Sequence, residues 1–472
     1  MIDRRELLDA ATRMSLLPHV VEKDYVLGWM LAGINAHTAI RDTWIFKGGT
    51  CLKKCFFETY RFSEDLDFTL TDPSHIDEKF LKRVFAEIGQ WIYENTGIEV
   101  PSGQQDFDIY TNPRGALSCQ GKISYRGPIS SPSLPRIKLD LTADERLVLP
   151  PVKARVFHPY SDSPDEEIEA LAYAYEELFA EKVRALAERT RPRDLYDVVN
   201  LFRNVEARPV AAVMLDVLRQ KCTFKGISVP SLADLEPHRE DLAKLWDSML
   251  GHQLPSLPPY EAFWRELPSF FDWLAGGVAP VVPAAYIAAP GEFVLRERVL
   301  RLPLSGTAQS FIEVIRFAAA NRLLVELDYD RSTRKIEPYS LRRTQDGHII
   351  LHAHNVDKNE HRSYRADRIV GARVTRQSFV PRHQIELAPQ GPVLVGPATS
   401  RIGSKVSGSS ISGARQSSRA RAVRATGLVY VYQCPYCQKS FRRNRMDSHL
   451  NPHKNKAGGR CAGRTGYLIT TR

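Results

Sequence analysis

The chain has 472 residues, 43% hydrophobic and 9% aromatic, with a formal net charge of +10. That length gives two to four domains with ample material for a core, and the balance is that of a globular protein. No apolar run reaches the length of a membrane span, and Met1-Ile2-Asp3-Arg4-Arg5-Glu6 is not a secretory signal, so a cytoplasmic location without a membrane partner is expected. The charge is uneven. From Arg401 onward fifteen Lys/Arg face one acid, Asp447, a balance of +14 that leaves −4 for the first 400 residues. A basic tail of this kind suits nucleic-acid phosphates, or serves as a solubilising arm. The seven cysteines are unevenly placed, which argues against a disulfide framework.

Residues 1 to about 40 predict helices, with 20–31 largely apolar. Next comes Phe46-Lys47-Gly48-Gly49-Thr50, a glycine pair running into a helix expected from 50 to about 60. Glycine lets the backbone approach a phosphate closely, and a helix N-terminus offers free N–H groups. The stretch Arg61-Phe62-Ser63-Glu64-Asp65-Leu66-Asp67-Phe68 ends in a strand. Leu66, Phe68 and Leu70 fall on one face, Asp65, Asp67 and Thr69 on the other. Two carboxylates pointing the same way repel unless a cation lies between them. A hard divalent ion such as Mg2+ takes oxygen ligands, and the phosphates of a nucleoside triphosphate complete its shell.

A helix is expected over 76–96, then a Gly/Pro/Ser-rich stretch over 101–135 with short strands such as 122–125. Arg136-Ile137-Lys138-Leu139-Asp140-Leu141-Thr142 alternates as a strand. Beside Asp65 and Asp67 it would bring Asp140 to the same cluster, and three carboxylates on two strands can hold two metals for an in-line phosphoryl displacement. Residues 168–189 predict an amphipathic helix with Leu171, Tyr175, Leu178, Phe179 and Leu186 on one face. Lys182 falls on that stripe, where it is costly unless it snorkels or meets an anion, for which a triphosphate is the natural candidate. Pro192 opens another helix, and Asp194 and Asp197 sit near its start, where carboxylates favour the dipole.

Helices continue to about Trp273, and the Ala/Pro/Gly-rich 276–304 reads as a linker with a short strand at 292–302. Residues 305–385 form a further domain: a helix over 310–322, then strands over 323–329, 333–339, 348–355, 361–364 and 369–373, which suggests a small barrel. Residues 386–426 are a basic Gly/Ser-rich linker, expected to be disordered. In 427–472, Cys434-Pro435-Tyr436-Cys437 with His449, His453 and Cys461 downstream reads as a Zn2+ module. Cys434, Cys437, His453 and Cys461 are the favoured ligands, and His449 with His453 is the alternative. Flanking Arg442, Arg443, Arg445, Lys454 and Lys456 suit nucleic acid, RNA or DNA.

Residues 15–275 resemble the AbiEii/AbiGii (AbiE-type) nucleotidyltransferase toxin family. The likeness rests on Val21-Glu22-Lys23-Asp24-Tyr25, on the two motifs around Gly48 and Asp65, on Lys138-Leu139-Asp140-Leu141, on Glu181-Lys182-Val183-Arg184-Ala185-Leu186, and on Arg193-Asp194-Leu195-Tyr196-Asp197. It implies a nucleotidyltransferase fold over 1–275, mixed α/β with a helical second half. It also implies Mg2+, a nucleoside triphosphate as co-substrate, an RNA target that in some members is the 3′ end of tRNA, a cognate antitoxin, and a place in phage defence or growth arrest. By position it implies Asp65, Asp67 and Asp140 at the metal, Gly48, Gly49, Thr50 and Ser63 at the phosphates, Lys182 on the triphosphate and Asp197 as a further essential acid. Cys51 and Cys55, after the glycines, depart from the family pattern and read as packing.

The 305–385 segment resembles a WYL domain at Val325-Glu326-Leu327-Asp328-Tyr329, Ile336-Glu337-Pro338-Tyr339 and Arg362-Ser363-Tyr364-Arg365, with Ile349-Ile350-Leu351 where the name-giving tripeptide would stand. That implies an SH3-like barrel that senses nucleic acid or nucleotides, with Arg362, Arg365 and Arg368 as a candidate anion site. Two rivals stand beside the RNA-modifying enzyme: a nucleotidyltransferase acting on a protein, and a non-enzymatic nucleic-acid sensor or transcriptional regulator.

Overall fold

The computed structural model describes residues 1–277 apart from 15, 58–60, 130, 165, 166 and 206, then 291–295, 306–387, 430–434, 437, 439–443, 450, 459, 461 and 467–471. It divides into two compact units, residues 1–400 and 401–472.

The first unit opens with α1 (Arg4–Met14) and α2 (Pro18–Ala36), the latter buried on nearly every side from Val20 to Ile34. Its two buried acids are therefore partnered. The Ile129 N–H donates to Glu22 at 2.7 Å, and Lys54 pairs with Asp24 at 2.7 Å. Next come β1 (Trp44–Lys47) and the short α3 (Gly48–Cys51), which widens into one π-helical turn, Leu52–Phe56. β2 (Asp65–Leu70) and α4 (Glu78–Thr96) follow. Asp77 caps α4 by accepting from the Phe80 N–H, and Leu81, Val84, Phe85, Ile88 and Ile92 make its buried stripe. The remaining strands are β3 (Gln105–Thr111), β4 (Leu117–Ser124), β5 (Arg136–Thr142), β6 (Val152–Arg155) and β7 (Glu169–Ala172). They lie in one sheet, ordered β3-β4-β5-β2-β1-β7-β6, with β2/β5 and β1/β7 parallel and the other pairs antiparallel.

Two expectations change here. The helix after the glycines ends at Phe56, where the Phe57 N–H closes the wide turn onto Leu52. The helix expected over 168–189 is really two elements: 169–172 forms β7, because Ala172 pairs with Phe46 at the open edge of β1, and the helix proper begins at Tyr175.

The helical half comprises α5 (Tyr175–Arg189), α6 (Pro192–Arg203), α7 (Ala211–Lys225), α8 (Leu232–Leu235), α9 (Arg239–Leu250), α10 (Tyr260–Trp264) and α11 (Leu267–Leu274). Phe179, Phe202, Phe270 and Trp273 join α5, α6 and α11, with ring centroids 5.6–6.2 Å apart. Beyond them lie β8 (Phe293–Val294), within the stretch expected to hold a strand, and α12 (Gly306–Ala320). β9 (Leu323–Tyr329), β10 (Ser332–Arg343), β11 (Ile349–Asn355), β12 (Glu360–Arg365) and β13 (Ile369–Ser378) then form a sheet ordered β12-β11-β10-β9-β13, with β8 on β10. Among the described residues its end strands do not pair, so the sheet is open where a closed barrel was expected. This region is seated on the helical half. The Tyr196 hydroxyl of α6 donates to Asn321 at 2.8 Å, and Glu266 accepts from both Arg203 and Arg322.

The second unit holds β14 (Tyr430–Gln433), β15 (Ser440–Arg443) and β16 (Tyr467–Thr471), ordered β15-β14-β16, with Cys434, Leu450 and Cys461 buried. The linker expected over 386–426 lies, from residue 388 on, outside the described residues. Among the described residues no helix is long and apolar enough to cross a membrane.

Candidate functional site

The carboxylates meet because β2 and β5 run side by side in parallel. Asp67 is the register partner of Asp140, and Asp65 that of Lys138. Alternation turns Asp65, Asp67 and Asp140 to one face while Leu66, Phe68, Leu139 and Leu141 pack beneath. Burial and the charge of Asp140 push the Asp67 carboxyl up to about 6, against the pull of Lys47. Asp140 is also raised, by burial and by Asp65, with Lys138 and Lys47 opposing. Carboxylates gathered on one face that raise one another stay under-neutralised by the protein alone. That unmet charge, and an all-oxygen donor set, fit a divalent cation.

The glycine turn presses against this cluster. Gly48 has φ +80°, and a Cβ there would lie 2.0 Å from Asp67 Oδ2. A Cβ on Gly49 would meet Arg61 Nη2 at 2.8 Å and Ser63 Oγ at 3.1 Å. Thr50 is buried, and its hydroxyl donates to the Asp65 carbonyl at 2.5 Å, which ties the turn to the start of β2. Gly48→Ala strains the backbone and displaces the Asp67 carboxylate. We expect it to lower nucleotidyl transfer at least about 100-fold while the chain stays folded, checked by turnover beside a thermal melt.

Lys182 and Asp197 come together from α5 and α6. Lys182 Nζ is 2.7 Å from Asp197 Oδ2 and 3.5 Å from Asp194 Oδ1. Arg61 clasps Asp197 through Nε and Nη2, both at 2.7 Å. Burial pushes Asp197 up, but Arg61 and Lys182 outweigh it and hold the carboxyl at about 2. Asp194 is likewise lowered: against burial, Lys182 and its Arg189 pair win. The acids at the start of α6 thus serve buried cations as well as the helix dipole, and Lys182 already has carboxylate partners.

Two features escaped the sequence reading. Arg61 stands in the Arg61–Phe68 motif with no role that the sequence reveals, because its partner Asp197 lies far along the chain on α6. The second is a buried ionic group on the α5 side of β1, comprising Lys47, Glu145, Glu177, Glu181, Arg184, Lys221 and Lys225. Lys221 pairs with Glu177 at 2.5 Å and Glu181 at 3.0 Å. Against burial, Lys47, Lys221 and Arg184 hold Glu181 well below the usual carboxylate range. The one available signal was charge at helical spacing on 177–184, which also fits a solvated face.

In the second sheet, Arg362 and Arg365 are engaged by Glu360 at 2.7 Å and Asp367 at 2.6 Å, while Arg368 is exposed. In the C-terminal unit the sulfurs of Cys434, Cys437 and Cys461 lie within 4.8 Å of one another. Three converging thiols fit a soft-ligand metal site such as Zn2+. His449 and His453, the candidate fourth ligands, lie outside the described residues.

Residues 29–275 match the family model for the nucleotidyl transferase AbiEii toxin of a type IV toxin–antitoxin system, and residues 310–374 match the WYL domain. Among solved structures, the chain is similar to the nucleotidyltransferase toxin MenT4 from Mycobacterium tuberculosis H37Rv, at 19% identity and a TM-score of 0.35 over 58% of this chain and 89% of that one. No curated protein matches.

Proposed function

The chain belongs to the AbiEii nucleotidyltransferase toxin family of type IV toxin–antitoxin systems, and from that premise we propose that it moves nucleotides from a nucleoside triphosphate to an RNA, with the 3′ end of tRNA as the favoured acceptor. The observation that carries this reading is the register pair Asp67/Asp140 with Asp65 two residues away, pressed against the Gly48 turn. Asp65, Asp67 and Asp140 would hold Mg2+, which when bound supplies positive charge to the phosphate oxygens. The Gly48–Gly49 backbone gives the triphosphate a close approach. Lys182, fixed by Asp197, adds a cation on the α5 side. The acceptor hydroxyl attacks the α-phosphorus in line; the new O–P bond forms as the bond to the bridging oxygen breaks and pyrophosphate leaves. Asp140, the third carboxylate of the cluster, takes the hydroxyl proton. Positioning and charge neutralisation suffice without a covalent intermediate.

The basic tail and the WYL domain supply nucleic-acid contact, RNA before DNA, and a cognate antitoxin restrains the activity. Cys434, Cys437 and Cys461 with His453 would hold Zn2+. Metal analysis of the full chain is expected to give about one zinc, lost in Cys461→Ser; full retention in that variant removes Cys461 from the site. The central experiment incubates the chain with each α-labelled triphosphate, Mg2+ and total cellular RNA, beside Asp65→Ala/Asp67→Ala. Label on RNA that the variant does not produce is the expected result. Label on protein, or none, defeats the RNA reading.

A further inference from the structure

The ionic group beside β1 contains two enclosed polar atoms that, among the described residues, have no hydrogen-bond partner. Lys47 closes β1 opposite Asp67, and its ammonium is 3.6 Å from Glu145 Oε1. Lys225 Nζ lies 3.0 Å and Arg184 Nη2 3.8 Å from that same oxygen. Three cations thus converge on Oε1. Glu145 Oε2 is enclosed and, among the described residues, accepts no hydrogen bond. Arg184 Nε is enclosed too and, among the described residues, donates to nothing, while Nη1 serves Glu188. The two side chains are only 8% and 10% exposed. Each enclosed donor or acceptor left unmet costs free energy, which a ligand bound there would recover. Here an acceptor and a donor stand unmet on side chains already in contact, and Lys47 connects them to the aspartates.

We propose that Glu145 and Arg184 form the nucleoside subsite of the triphosphate. Glu145 Oε2 accepts from the nucleoside and Arg184 Nε donates to it, at a point where a hydrogen-bond donor and an acceptor lie together. Lys47, between this pair and Asp67, faces the phosphates. The proposal rests on the nucleotidyl-transfer reading above. Two parts that differ from one triphosphate to another carry the required chemistry: the edge of the base and the ribose 2′-hydroxyl.

The test measures, for the full chain, Glu145→Gln and Arg184→Lys, the ratios of kcat/KM among the four ribonucleoside triphosphates and between each and its 2′-deoxy form. A ratio within one variant does not depend on how much of the preparation is folded. The same ratios are read in equilibrium binding of the α,β-methylene triphosphates, so a variant that folds without turning over still reports. A change on the order of tenfold is expected. It falls among the four bases if the base edge is read, or between ribo and deoxy forms if the hydroxyl is read. Ratios unchanged in both variants overturn the proposal. A wild-type chain that transfers no nucleotide defeats the underlying reading instead, so the two failures are distinguishable.

Discussion

Asp67→Asn is expected to abolish nucleotidyl transfer and, at the same time, to raise the melting temperature of the cation-free chain at pH 7. Burial and Asp140 lift this carboxyl from 3.8 to about 6, so the fold disfavours its anion. A raised folded pKa contributes stability that is fully present below the unfolded value and is lost as pH rises through the folded one. Between pH 4 and pH 6 the wild type therefore loses stability, of order 1–3 kcal/mol by pH 7, and asparagine avoids that loss. Its amide keeps the shape that sits against Gly48. Thermal melts across that pH range, with and without Mg2+, check this: the cation should stabilise the wild type by a few degrees and leave the variant nearly unchanged. A cation-free variant that melts below the wild type at pH 7 defeats the account.

The same substitution at Asp197 should act in the opposite direction. Its carboxyl is held at about 2 by Arg61 and Lys182, so its stability is fully present above 3.8 and is lost as pH falls toward 2. Asp197→Asn leaves the enclosed Arg61 guanidinium without its counter-charge and weakens the hold on Lys182, at a cost of roughly 3–5 kcal/mol. Denaturant unfolding at pH 7 should show this loss, and the gap to the wild type should narrow below pH 4. Arg61→Met in the same chain should recover part of it, because the unpaired charge goes with it. Equal midpoints for wild type and Asp197→Asn would show that the clasp does not stabilise the fold. Two aspartates in one site thus give opposite signs, set by whether their neighbours are anions or cations.

The strands that carry the carboxylates were legible because alternation over six or seven residues is a clean signal. β2 and β5 stand where Leu66/Phe68 and Ile137/Leu139/Leu141 place them, and the approach of Asp140 to the first pair follows from their pairing. Residues 169–172 were not legible. Four residues of Glu-Ala-Leu-Ala fit either period, and only the open edge of β1 selects a strand. The position of Lys182 on an apolar stripe was readable, but its partner was not. Helical spacing says which face a side chain takes, not which helix lies opposite, so Asp197 at the start of α6 read as a dipole partner. Arg61 and Glu145 were hidden for the same reason, since their partners arrive from α6, α5 and α7 through tertiary packing.

The hydroxyl of Tyr196, adjoining Asp197, finds its acceptor on Asn321, and Glu266 divides one carboxylate between Arg203 and Arg322. The outer surface of α6 is thus finished by residues encoded beyond the segment that carries the carboxylates. A chain ended at residue 277 would be no clean cassette. It would expose an aromatic hydroxyl that is normally enclosed and leave Glu266 with one cation instead of two, on the far side of the helix that steadies Lys182. Toxicity assays on such a fragment would measure an enzyme with a loosened wall, so a fragment meant to isolate the chemistry should keep the chain through residue 387.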